Sequence, residues 1–189
     1  MVRGYFAGLA LALLCAACVE KYADVDATTP SASMTFKKAY DTANIDWGGG
    51  IQGFDFSDEG HCSTMKRAAV LTAFSDDSET RSVVAGRRVT VLAFSTLFRK
   101  GVVRCPQGIC TEIVMCQSGL SFVPEQNHRY IVTQSAGIDS TVCPIHVIDD
   151  ATGSAPVSAQ RNFHEYCPEA RLVPKSGARI QTAELHSIR

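Results

Sequence analysis

Apolar and polar residues alternate with a period of two along much of this chain, and that period belongs to β-strands. The clearest run is RVTVLAF at 88–94, with Val89, Val91 and Ala93 on one face and Thr90, Leu92 and Phe94 on the other. Both faces are largely apolar, which predicts a central, well-covered strand. Further strands are expected at 34–40, around Ile51, Phe54 and Phe56, and at 111–116, 120–123, 129–133 and 142–148. Pro144 cannot donate to a ladder, so the last of these belongs at an edge or a bulge. The run 64–74 fits helical spacing through Met65, Ala68, Ala69 and Thr72, and also a buried strand through 69–74. Strand is the reading adopted, although periodicity alone does not settle so short a run.

Turn residues punctuate these runs. Trp47 with Gly48-Gly49-Gly50 predicts a loop or tight bend over 46–50. Asp76, Asp77 and Glu79 mark a polar loop over 75–80, Ala85-Gly86 a turn, and 137–139 another. Asp149-Asp150-Ala151-Thr152-Gly153 has the acid-to-glycine chemistry of a hairpin turn. Many short strands at this spacing predict an all-β fold, a small antiparallel β-sandwich held by disulfides. Within 86–157, Phe122-Val123-Pro124-Glu125, His128-Arg129-Tyr130 and a cysteine-bearing strand follow in order. In this the segment resembles half of an Ig-like or transthyretin-like sandwich, a resemblance of fold that carries no function.

The first eighteen residues do not belong to that pattern. Arg3 gives a positive start, Tyr5 to Ala17 carries no charge, and Glu20 is the first acid. The apolar stretch is shorter than the roughly 20 residues that span a bilayer, so it reads as an export signal. Ala16-Ala17-Cys18 resembles the lipobox of bacterial lipoproteins, with Cys15 where that family usually has Leu. The resemblance implies cleavage before Cys18, a diacylglyceryl group on its thiol and, with Val19 next, sorting to the outer membrane, facing the periplasm. The alternative is an ordinary signal cut after Ala16 or Ala17, giving a secreted or periplasmic soluble protein. On the lipoprotein reading the chain divides into a signal peptide over 1–17, a lipidated cysteine with a flexible tether over 18–33, a β-rich domain over 34–170, and a strand or tail over 171–189. The tether is inferred from the Thr, Ala and Ser content of 19–33.

Charge narrows the partners. Without Arg3 the chain has one fewer than its 18 basic residues against 19 acidic ones, a net of −2. It lacks the basic surplus of a general nucleic-acid binder, so no nucleic acid is expected. The expected partners are the membrane, through lipid rather than a basic patch, and an envelope protein.

Six cysteines lie beyond the signal: Cys62, Cys105, Cys110, Cys116, Cys143 and Cys167. An even number in an oxidising compartment predicts up to three disulfides, each contributing about 2–4 kcal/mol. Cys116 with Cys143 is favoured because both fall in strands near one sheet, with Cys105–Cys110 closing a local loop and Cys62 left to Cys167. Other connectivities stay open. The C-x4-C-x5-C spacing of Cys105, Cys110 and Cys116 departs from zinc pairs, so no metal or cofactor is expected.

Candidate chemistry is sparse. His61 beside Cys62 would point to the opposite face of a strand, away from the thiol. There is no G-x-S-x-G elbow, no calcium-loop pattern around Asp76, and no lysine after the glycine run. His128, His146 and His164 are expected at the surface or rim. No catalytic residue is assigned. The expected function is a non-catalytic binding or accessory module on the cell envelope. The alternatives are a periplasmic hydrolase whose site assembles from distant residues, and a thiol- or metal-handling protein.

Overall fold

A computed structural model describes residues 19–38, 47–59, 64–72, 74–105, 108–135, 143–161 and 179–183. Among these described residues nine strands follow in order: β1 (Ser31–Lys37), β2 (Trp47–Ser57), β3 (Lys66–Thr72), β4 (Ser78–Val84), β5 (Val89–Cys105), β6 (Gly108–Phe122), β7 (Arg129–Gln134), β8 (Ile145–Asp149) and β9 (Arg179–Ala183). No α-helix occurs among the described residues. The strands form a four-stranded sheet, β4-β1-β7-β8, and a five-stranded sheet, β3-β2-β5-β6-β9. The 88–94 run is indeed central, lying in the middle strand of the larger sheet.

Among the described strands every pairing is antiparallel except β1 with β7, which run parallel from Ser33 opposite Arg129 to Lys37 opposite Thr133. The smaller sheet is therefore mixed, where a purely antiparallel one was expected. Parallel neighbours need a long crossover. Here the crossover includes the first five strands after β1, four of which belong to the other sheet.

Alternation builds the core. In β1, Ala32, Met34 and Phe36 turn inward while Ser31, Ser33 and Thr35 turn out. Phe36 meets Phe54 of β2 at 5.1 Å between ring centroids, and Phe122 of β6 meets Tyr130 of β7 at the same separation. Both contacts join one sheet to the other, so the two sheets share a single core. Offset and edge contacts of this kind are favourable geometries for aromatic rings. The Tyr130 hydroxyl accepts the Glu125 N–H at 2.9 Å, pinning the connection between β6 and β7.

A polar network sits inside this core. Gln52, Ser95 and Gln134 are all buried. Gln134 Nε2 donates to Ala93 O (3.1 Å) and Ser118 Oγ (2.9 Å), and its Oε1 accepts from Ser95 Oγ at 2.7 Å. Gln52 Nε2 donates to Gln134 O at 3.0 Å. Such groups are tolerated in a core because they are paired. They tie β2, β5 and β6 to β7. Beside them, Cys116 of β6 is bridged to Cys143, just before β8, with their Cα atoms 6.0 Å apart. The favoured pairing is the one observed, and it links the two sheets covalently.

Several sequence expectations need correction. The folded part does not begin near Met34. The stretch expected as a tether packs on the domain from Glu20 onward: Arg67 N–H donates to Glu20 O (2.6 Å) and Tyr22 N–H to Arg67 O (2.9 Å). Tyr22 is buried against Phe56 at 4.7 Å. Further along, Asp24 Oδ1 accepts from Ser82 N–H. Small and hydroxyl residues suggested a linker there, yet the Ser/Ala/Ser/Met alternation at 31–34 is that of a half-buried strand. The glycine run after Trp47 belongs to β2, whose register shifts between Trp47 and Gly50. Strand β4 replaces the second half of the expected 75–80 loop. The expected strands at 111–116 and 120–123 are one strand, β6, and the 88–94 strand extends to Cys105. Pro144 precedes β8, which is an edge strand as expected. Gly86 and Gly153 take φ of 80° and 67°, the left-handed conformation their turns require.

Three of the four sheet edges, β3, β4 and β8, are blunted. Edge β3 is paired by Glu20 to Tyr22, and β4 by Asp24 and Val25. Edge β8 is only five residues long, with Pro144 before it and Asp149 N–H taken by Ser154 O. Short and covered edges resist strand addition from other chains.

Candidate functional site

A cluster of ionisable groups lies where the turn into β7 meets the end of β8. Asn127 has a left-handed φ of 64°, a conformation asparagine tolerates well, and it turns the chain so that His128 stands beside the sheet. Asp149 closes β8, and its Oδ1 accepts the Ala151 N–H at 2.9 Å. The β7–β8 register sets Tyr130 opposite Asp149, which brings His128 within reach diagonally. His128 Nδ1 lies 2.6 Å from Asp149 Oδ2, and its Nε2 lies 3.5 Å from Glu125 Oε2. The Tyr130 ring stacks near the imidazole, 6.2 Å away at 22°.

Two carboxylates around one imidazole favour its charged form. The hydrogen bond to Asp149 raises the His128 pKa above the ordinary value, with the charges of Asp149 and Glu125 adding to it against partial desolvation. The same bond lowers the Asp149 pKa, helped by the backbone N–H groups of Ala151 and Thr152.

Next to this cluster an open groove of about 460 Å³ runs over the outer face of β1. Ser31 and Ser33 of β1, Thr80 and Ser82 of β4, and Arg129 of β7 line it, with Asp24 on the far side. The hydroxyls come from the outward positions of β1 and β4, and Thr35 bonds Thr80 at 2.9 Å in the same array. The groove could hold a polar ligand through hydroxyls, an imidazole and a guanidinium. A general base needs a free imidazole nitrogen near a nucleophile. Both His128 nitrogens face carboxylates here, and no serine or threonine hydroxyl among the described residues bonds to the ring.

The other candidates disperse. Cys105 and Cys110 lie at the end of the β5–β6 hairpin, opposite Gly108 and Val103. Cys18, Cys62 and Cys167 lie outside the described residues, as do His61, His164 and the expected turn at 137–139. His146 sits on β8, opposite Thr133. Asp77 pairs with Lys38 at 3.1 Å, and Glu79 with Arg81, so these acids serve ion pairs. Among the described residues no three His, Cys, Asp or Glu side chains converge as a metal site. The His128–Asp149 pair is what residue-by-residue reading missed. Asp149 was visible only as a turn acid, and the contact depends on the β7–β8 register. No protein-family model, curated protein or solved structure matches this chain.

Proposed function

We propose that this chain is a bacterial envelope lipoprotein whose β domain is a non-catalytic binding or accessory module. In this reading Cys18 carries the lipid, and the protein faces the periplasm from the outer membrane. The observation that carries it is the Cys116–Cys143 bridge between the two sheets, which suits an oxidising compartment and agrees with the export signal. The finer architecture we favour is an Ig-like or transthyretin-like sandwich. Tyr130, at the start of β7 with its hydroxyl bonded to the backbone five residues upstream, resembles the tyrosine corner of Ig-like sandwiches. The hydroxyl-lined groove is the favoured place for a polar ligand or a loop of an envelope protein.

The test is the intact mass of the protein taken from the envelope without reductant, before and after thiol alkylation. A mass beginning at a lipidated Cys18 and unmoved by alkylation is the expected result. A mass without lipid, or with reactive thiols, removes the anchor or the disulfide framework. The hydrolase alternative draws on the His128–Asp149 pair. It requires turnover of ester or amide substrates that His128→Gln abolishes, and such turnover would replace the binding reading.

A further inference from the structure

We infer that the outer face of the β2–β3 edge of the larger sheet lies against the lipid bilayer; this rests on the lipoprotein reading above. The argument begins with chain length. Glu20 O is bonded to Arg67 N–H on β3. Only Val19 stands between Glu20 and Cys18, and two residues of fully extended chain span at most about 7 Å. A lipid on Cys18 is therefore held within about that distance of the β3 edge. The domain has no slack with which to stand away from the membrane.

Further along β3 from that point, from Val70 onward, the outer face has the matching chemistry. Ile51 of β2 and Val70 of β3 are 41% and 38% exposed. Gly53 pairs with Val70 and Ile51 with Thr72, so Ile51 and Val70 are diagonal neighbours on one face. Phe94 of β5 pairs with Gly53 and lies over it, adding an aromatic ring to the patch. Arg67 places its guanidinium 4.9 Å above that ring and pairs it with Asp55 of β2. At the far end of β3, Phe74 is 99% exposed. Apolar and aromatic side chains beside an ion-paired guanidinium suit the boundary between headgroups and acyl chains. The outer face of the smaller sheet differs. Ser33, Thr35, Thr80 and Ser82 give its β1–β4 half hydroxyls, which leaves the groove there turned to the aqueous side, while Ile148 at the β8 edge is 39% exposed.

The experiment uses the full chain in envelope membranes and a phospholipid with a photoreactive diazirine on its acyl chain. After irradiation, labelled peptides are mapped and the Cys18 peptide is weighed. Label on the Ile51, Val70 or Phe74 peptides, with none on the Ser33 or Thr80 peptides, is the expected outcome. The double variant Ile51→Thr/Val70→Thr keeps strand-forming residues and should lose label at those peptides while Cys18 stays lipidated. Lipidated Cys18 with an unlabelled patch overturns the inference, leaves the anchor standing and gives the patch to a protein occupant. Unlipidated Cys18 without label overturns both. Unlipidated chain that still labels at Val70 and Phe74 removes the anchor and upholds the contact.

Discussion

The ring of Phe94 rests on the backbone of Gly53. A Cβ at Gly53 would stand 2.0 Å from Phe94 Cζ and 2.5 and 2.7 Å from the two Cε atoms. The two residues are register partners on β2 and β5. Glycine weakens a strand, and an aromatic ring laid across it restores packing. Gly53→Ala pushes the ring outward and off Arg67. Because Phe94 is only partly buried, the expected loss is modest, about 1 kcal/mol. In a Phe94→Ala background the same change should turn stabilising by about 0.5 kcal/mol, since alanine loses less entropy on folding. Urea denaturation of the four chains measures this, and an unchanged sign across backgrounds would contradict the contact.

The Cys116–Cys143 bridge spans a separation of 27 residues. A loop of that length is expected to contribute about 3–4 kcal/mol through the unfolded chain. Cys116→Ala/Cys143→Ala should lower the unfolding free energy by that order. A loss well under about 1 kcal/mol would mean that the sheets are held by packing alone.

Stability should depend on pH through His128 and Asp149. The folded pKa of His128 lies above 6.5, so its contribution is complete below the unfolded value and vanishes as pH rises through the folded one. The folded pKa of Asp149 lies below 3.8, so its contribution is present above 3.8 and vanishes as pH falls through the folded value. The pair therefore stabilises most between the two ordinary values. Thermal midpoints of wild type and His128→Gln across this range provide the check. The variant should lose the decline on the alkaline side, and parallel curves would refute the pairing.

Gln134→Leu replaces a buried amide by an apolar group and strands Ser95 Oγ, Ser118 Oγ and Ala93 O without their present partner. An unpaired buried polar group costs about 1–3 kcal/mol. The expected loss is therefore about 2–4 kcal/mol despite the added hydrophobicity. Chemical denaturation would reveal it, and a neutral result would show that water or neighbours take over the bonds.

Substitutions at Tyr22 test whether the N-terminal segment is packed on the domain. The Tyr22 hydroxyl is buried with no hydrogen-bond partner among the described residues, and burial pushes its pKa up to about 12. Tyr22→Phe should be neutral or stabilising by up to about 1 kcal/mol, because an unsatisfied group is removed. Tyr22→Ala should cost about 3 kcal/mol by emptying the space beside Phe56. Equal, negligible effects from both would restore the tether.

Strands β5, β7 and β8 were legible because alternation, β-branched residues and turn signals agree there. The Cys116–Cys143 bridge was legible for a related reason, since both cysteines sit at strands of high apolar content. Strand β4 was hidden because its first residues, Ser78 to Thr80, lie on a sheet edge and carry no apolar signal. The continuity of β6 was hidden by Gln117, Ser118 and Gly119. Ser118 bonds Gln134, so a residue that looks like a loop in sequence is part of the polar network. Register is what joins His128 to Asp149 and Ile51 to Val70, and no local pattern encodes it.

The parallel partnership of β1 and β7 also sets the order in which the molecule can be finished. A chain that emerges from its N-terminus delivers Ser33 roughly a hundred residues before Arg129, its neighbour. Until then β1 has only β4 on one side, and the apolar row Ala32, Met34 and Phe36 lacks the β7 side of its sheet. Such long-range pairing slows folding and leaves a strand edge open to wrong partners. The smaller sheet is thus completed late, and the interval before Arg129 arrives is when this protein is most exposed to aggregation.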